Sequence, residues 1–84
     1  MRVELNNTAK KQFKKLNEPC KGRIEEALTG LSKEPIQGDI KKLQGRKGYR
    51  LTVGDYRILF DINNALGFID VFKISPRGDV YKEN

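Results

Sequence analysis

The residues best placed to do chemistry are Arg50, Thr52 and Arg57, which lie on either side of Gly54-Asp55. The runs flanking that dipeptide, Gly48-Tyr49-Arg50-Leu51-Thr52-Val53 and Tyr56-Arg57-Ile58-Leu59-Phe60, are rich in β-branched and aromatic residues. A two-residue, glycine-containing break between such runs is a hairpin signal, because a tight primed turn needs positive φ and glycine adopts it at little cost. With Gly54 and Asp55 as the loop, Val53 faces Tyr56, Thr52 faces Arg57 and Leu51 faces Ile58. Strand side chains alternate between faces, and paired residues share one. Arg50, Thr52 and Arg57 therefore project from one face, and Tyr49, Leu51, Val53, Tyr56, Ile58 and Phe60 from the other. Two neighbouring guanidinium groups repel each other unless an anion joins them, so the pattern points to phosphate binding.

The composition narrows that chemistry. The chain has 84 residues, 17 of them basic and 11 acidic, for a formal charge of +6. One domain spanning 1–84 is expected, burying roughly 60–65% of its unfolded surface. The charge favours an anionic partner, either nucleic acid or an acidic protein segment; the alternative is a small basic domain whose charge has no specific partner. There is no histidine, which excludes His-based ribonucleases, Ser-His-Asp and Cys-His hydrolases, and His-containing metal sites. Asp61, Asp70 and Asp79 are too scattered to suggest a metal site, and no cofactor is called for. No apolar run is long enough to span a membrane. Met1-Arg2-Val3-Glu4-Leu5 lacks the apolar segment of a signal peptide, and the single cysteine, Cys20, cannot form an internal disulfide. Together these features predict a cytoplasmic protein.

The elements that must position the arginines follow from periodicity. Arg2 to Asn6 reads as a strand, and Asn7 and Thr8 as N-cap residues of a helix with Ala9, Phe13 and Leu16 on its apolar stripe. Lys10, Lys11, Lys14 and Lys15 decorate that helix, as a solvated face or as an attachment surface for a nucleic-acid backbone. Asn17-Glu18-Pro19 breaks it. A second helix runs to about Ser32, with Cys20, Ile24, Ala27, Leu28 and Leu31 inward, which makes an antiparallel helical hairpin. Cys20 is expected to be a small packing residue. Ile36 to Arg46 reads as a connector anchored by Ile40 and Leu43. Gly45-Arg46-Lys47-Gly48 is a basic loop that lacks the length and the Lys-Ser/Thr of a P-loop. After the hairpin, Asn63-Asn64-Ala65-Leu66-Gly67 is a turn. Phe68 to Ile74 is an interior strand with Ile69 and Val71 on one face and Phe68, Phe72 and Ile74 on the other. Ser75-Pro76-Arg77-Gly78-Asp79 is a turn before Val80-Tyr81. The predicted fold is α+β in the order β-α-α-β-β-β, with the helical hairpin on one face of a small antiparallel sheet. The arginines project from the uncovered face.

Leu43-x-Gly45, Tyr49-Arg50-Leu51-x-Val53-Gly54-Asp55-Tyr56-Arg57-Ile58-Leu59-Phe60 and Arg77-Gly78-Asp79-Val80-Tyr81-Lys82 together resemble the RelE/ParE superfamily of bacterial and archaeal toxins. So does the helical part, with Phe13-x-x-Leu16, Ile24-x-x-Ala27-Leu28-x-x-Leu31 and Glu34-Pro35. The resemblance covers nearly the whole chain and is closer to the RelE-like branch. It implies a toxin of a type II toxin–antitoxin system that cuts mRNA in the A site of the 70S ribosome, without a metal or a small-molecule cofactor. The ribose 2′-oxygen attacks the adjacent phosphorus and the 5′-oxygen leaves. An antitoxin protein covers the basic face. By the same resemblance, Arg57 holds the scissile phosphate and Arg50 fills a basic position earlier in the hairpin. Arg77 stabilises charge on the phosphate or assists the leaving group, and Tyr81 stacks on a base or orients the 2′-hydroxyl. Thr52 is a departure, since some members carry there a lysine proposed to transfer protons.

Elementary chemistry agrees with that arrangement. Phosphoryl transfer in RNA builds charge on phosphate oxygens, and preorganised guanidinium groups stabilise it. An arginine is too basic to serve as general base at neutral pH, whereas Tyr81, its pKa lowered by arginines, is a candidate. Lys10, Lys11, Lys14, Lys15, Arg46 and Lys47 are the expected RNA-backbone contacts. A structural role for the same residues has Arg57 paired with Asp61 or Asp79, and Tyr81 packed at the sheet edge. Two other functions fit the same pattern: a ParE-like inhibitor of DNA gyrase, and a binding module that keeps only antitoxin or RNA affinity.

Overall fold

The computed structural model describes residues 1–76; Arg77 and Tyr81 lie outside the described residues. The chain runs β1 (Arg2–Leu5), α1 (Asn7–Lys14), α2 (Cys20–Leu31), β2 (Asp39–Lys42), β3 (Tyr49–Val53), β4 (Tyr56–Asn63) and β5 (Phe68–Pro76). The strands form one sheet in the order β1-β5-β4-β3-β2. Sequential neighbours β2 to β5 pair antiparallel, whereas β1 returns to pair parallel with β5. The α+β architecture, with two helices and a mostly antiparallel sheet, is the one expected.

The central hairpin has the predicted register, with Val53 opposite Tyr56, Thr52 opposite Arg57 and Leu51 opposite Ile58. Gly54 takes φ of 58° in the turn, a conformation that side chains resist and glycine accepts. Leu51, Ile58, Phe60, Ile69, Val71 and Ile74 bury one face of the sheet against Ala9, Ile24 and Leu31 of the helices. Cys20 packs against that core, as expected of a small structural residue. The Tyr49 ring stacks on Phe60 at 5.5 Å.

Local chemistry sets three details differently from the sequence reading. The N-cap of α1 is Asn6, one residue before the expected pair, and its Oδ1 accepts from the Ala9 N–H at 2.9 Å. That is the bond an N-cap side chain makes to the third helical residue. The connector from Ile36 to Arg46 contains the edge strand β2. Its sequence Asp39-Ile40-Lys41-Lys42 has a single apolar residue to bury, so its strand character comes from pairing with β3.

Finally, β5 carries a bulge. Leu59 pairs with Lys73 but Phe60 pairs with Val71, which leaves Phe72 as the extra residue. A bulge puts two consecutive side chains on one face. Ile74 thereby joins Ile69 and Val71 in the core, rather than Phe68 and Phe72 as simple alternation predicted. The strand is interior, as expected. Beyond Val71, β1 no longer covers the β5 edge; Asn6 N–H reaches Val71 O at 2.9 Å, and the Gln12 side-chain oxygen then accepts from Ile74 N–H at 2.6 Å. The side chain of Gln12 thus ties α1 to the strand that flanks Arg57.

Candidate functional site

Alternation away from the core creates a second, polar face on the same strands. Two rows of paired residues cross it. One runs Asp39–Thr52–Arg57–Ser75 and the other Lys41–Arg50–Leu59–Lys73, each with one residue from β2, β3, β4 and β5. Arg50 and Arg57 are diagonal neighbours on adjacent strands, which is the juxtaposition expected from the hairpin. Lys41 faces Arg50 directly and Lys73 reaches this face through the bulge.

Arg57 is the unusual member. It is 6% exposed, although it projects from the face that the helices leave open. Its Nη1 donates to the carbonyl of its neighbour Tyr56 at 3.2 Å, and its Nε is buried without a partner among the described residues. Arg50 is half-buried, and its Nε is likewise enclosed and has no partner among the described residues. Across the sheet from Arg57, the Ser75 hydroxyl is also buried without a partner among them. A buried guanidinium normally has a carboxylate beside it, because an uncompensated charge in a low-dielectric site costs several kcal/mol. Arg57 has none among the described residues. Asp61, the structural partner considered from sequence, sits four residues along β4, roughly 13 Å away at strand spacing. It forms an ion pair with Lys47 at 3.5 Å instead and accepts from the Ile62 N–H at 2.8 Å. Asp79 lies outside the described residues.

The other expected contacts distribute differently. Lys10, Lys11, Lys14 and Lys15 are exposed on α1, in the helical layer that covers the opposite face, so the fold does not gather them with the arginines. The loop between β2 and β3, closed by the Leu43 N–H donating to Gly48 O at 2.9 Å, leans over the sheet. Arg46 lies 5.1 Å from the centroid of the Phe72 ring, and Lys47 holds Asp61. A cleft of about 680 Å³ at that end is lined in part by Lys42, Lys47, Tyr49, Asp61, Phe68 and Asp70. Arg57 does not line it. Thr52 is half-buried and faces Arg57. Sequence reasoning missed Lys41, because β2 was hidden in the connector. It missed Lys73 because only the bulge puts it on the polar face, and Ser75 because the strand was expected to end at Ile74 with Ser75-Pro76 opening a turn, whereas β5 continues to Pro76 and pairs Ser75 with Arg57. The signal for Ser75 was its place just before Pro76, where the backbone is held extended.

The family profile described as the ParE toxin of the type II toxin–antitoxin system parDE matches residues 3–81. The chain belongs to the RelE/ParE toxin superfamily. Solved structures give the same answer. The archaeal RelE–RelB complex from Pyrococcus horikoshii contains a chain with 30% identity and a TM-score of 0.75, the match covering 92% of this toxin and 94% of that chain. The RelBE2 toxin–antitoxin complex from Mycobacterium tuberculosis matches at 24% identity and TM-score 0.76, over 89% and 95% of the two chains. The RelB–RelE complex from Methanococcus jannaschii matches at 24% and 0.75, over 94% and 95%. The last two likenesses concern the fold. A comparison with curated protein sequences finds no match. No helix of the described toxin residues is long and apolar enough to cross a membrane.

Proposed function

We propose that this toxin is a ribosome-dependent endoribonuclease that cuts mRNA in the ribosomal A site, with residues 1–84 acting as one toxin domain in the cytoplasm. The observation that carries the reading is the buried Arg57 guanidinium, without a carboxylate among the described residues, beside Arg50 on the polar sheet face. An anionic phosphate is a partner whose charge and oxygens suit such a site. In the proposed reaction, the 2′-oxygen bonds to phosphorus as the bond to the 5′-oxygen breaks, leaving a 2′,3′-cyclic phosphate and a free 5′-hydroxyl. Arg57 and Arg50 stabilise charge on the non-bridging oxygens. Arg77 is assigned to the phosphate or the leaving oxygen, and Tyr81 to the 2′-hydroxyl proton. Thr52 has no role as a proton carrier at neutral pH. The host ribosome supplies in-line geometry, so free RNA is a poor substrate. Arg46 and Lys47, and at longer range the lysines of α1, contact the RNA backbone. The relatives from Mycobacterium tuberculosis and Methanococcus jannaschii are toxin–antitoxin complexes, and a cognate antitoxin is the proposed protein partner here.

The test is primer extension on a translated mRNA, with purified protein and with or without ribosomes. Cuts confined to A-site codons, seen only with ribosomes and lost in Arg57→Ala, are the expected result. Normal cleavage by Tyr81→Phe removes Tyr81 from the mechanism. The name of the matching family, ParE toxin, favours a second reading, inhibition of DNA gyrase. Loss of supercoiling in a gyrase assay, with no mRNA cuts, would replace the first reading by the second. Silence in both assays would leave a binding module.

A further inference from the structure

Ser75 has no role in the reaction as drawn so far, and its surroundings are unusual for a serine. It is 3% exposed, its hydroxyl has no hydrogen-bond partner among the described residues, and it sits directly across the strand pair from Arg57. Buried hydroxyls are nearly always satisfied, because leaving one unpaired is costly. Here an orphaned acceptor oxygen faces the residue whose Nε–H is an orphaned donor. Cβ atoms of directly paired residues stand about 4.5–5.5 Å apart, a gap that a hydroxyl and the Nε of an arginine can close. The backbone at Ser75 is held by its pairing and by Pro76, which pairs with Tyr56 in the next position and disfavours other conformations of the preceding residue.

The geometry points to Ser75 as a positioning residue for Arg57: when an anion occupies the site, Oγ of Ser75 accepts the Arg57 Nε hydrogen and aims both terminal nitrogens at the anion. In the structure Arg57 donates to its neighbour, from Nη1 to the Tyr56 carbonyl. Anion binding draws Nη1 off that carbonyl, and the oxygen of Ser75 compensates the turned guanidinium on its Nε side. A guanidinium held at Nε presents its two ends as a fork, the geometry that matches two phosphate oxygens. This deepens the reading of Arg57 as the phosphate-binding group and rests on it.

The experiment is ¹⁵N NMR of the Arg57 Nε–Hε group in the full chain, titrated with inorganic phosphate. In the wild-type protein, phosphate is expected to slow Hε exchange by tenfold or more. In Ser75→Ala that protection is lost and phosphate binds several-fold more weakly, while the melting temperature of the free protein stays equal or rises, since an unsatisfied buried hydroxyl has been removed. A double-mutant cycle sharpens the result. On an Arg57→Lys background, which has no Nε–H, Ser75→Ala is expected to change phosphate affinity less than twofold. Hε protection in Ser75→Ala equal to wild type would overturn the inference. So would an equal affinity loss in both backgrounds, the mark of a merely structural serine, or the absence of any phosphate effect on Arg57. None of these readouts uses ribosomes, so failure to cut mRNA would sink the nuclease reading and leave the Ser75–Arg57 result standing.

Discussion

On the helix side of β3 and β4, Leu51, Ile58 and Phe60 are at most 1% exposed and belong to the apolar core. On the other side of the same backbone, Arg57 is almost as deeply enclosed, yet it carries a charge and an Nε without a partner among the described residues. Burial has opposite meanings on the two faces. On the first it is the source of stability, since apolar area removed from water is the main favourable term in a domain of this size. On the second it subtracts from stability, because a desolvated cation has no carboxylate beside it among the described residues. On the proposed function, an RNA phosphate supplies the charge that offsets this cost.

If the two faces divide the labour this way, substitutions should separate stability from activity. The largest stability effect is expected at Phe60→Ala. Emptying a fully buried aromatic site costs about 3–5 kcal/mol, a large part of the total for so small a domain. Chemical denaturation should show the midpoint fall sharply, with any activity loss tracking the unfolded fraction. Arg57→Met is the mirror experiment. The stem volume is kept and the charge removed, so stability should be unchanged or higher by up to about 2 kcal/mol. Ribosome-dependent cleavage should fall by about 10²–10³-fold, the usual cost of deleting one preorganised oxyanion donor. A destabilised Arg57→Met would mean that the guanidinium has a structural partner after all, and the contrast between faces would collapse. Smaller still is Asn6→Ala. It removes the side-chain bond that starts α1 and should cost about 1 kcal/mol. It should leave cleavage by the folded fraction intact, since α1 lies on the covered side.

The contrast itself was legible in the sequence wherever it depended on neighbours along the chain. Gly54-Asp55 gave the turn, the turn gave the register, and the register put Arg50, Thr52 and Arg57 on one face. What escaped were the features decided by partners distant in sequence. β2 offers one apolar residue, Ile40, and becomes a strand because β3 is there to pair with. The parallel return of β1 to β5 joins residues over sixty positions apart, such as Val3 and Ile69, and no local pattern encodes it. The bulge at Phe72 breaks the period of two in a run that is apolar on both faces, so alternation alone misassigned Ile74. The depth of Arg57 was hidden for a related reason. Periodicity assigns a face, but burial on that face depends on what the neighbouring strands bring, and Ser75 enters only through the β4–β5 register.

The weakest expected effect tests the turn end of the hairpin, where the apolar face meets α2. Tyr56 pairs with Val53 at the turn and packs against the core, near Cys20. Burial raises the Tyr56 phenol above its ordinary pKa of 10.0, and the neighbouring Cys20 side chain raises it further. The folded state therefore holds the phenolic proton more tightly than the unfolded chain does. The sign follows from linkage: the stabilising contribution is fully present below about pH 10, the unfolded value, and is lost as pH rises through the higher folded value. Wild-type protein should lose stability to denaturant above about pH 10 more steeply than Tyr56→Phe, whose curve lacks this ionisation. Cys20→Ser should give an intermediate slope, because the Cys20 contribution is removed while the burial of the phenol remains. If Tyr56→Phe and wild type run parallel across that range, the phenol is as well hydrated in the folded chain as in the unfolded one. The covered face would then end before the turn, at the Leu51–Ile58 pair.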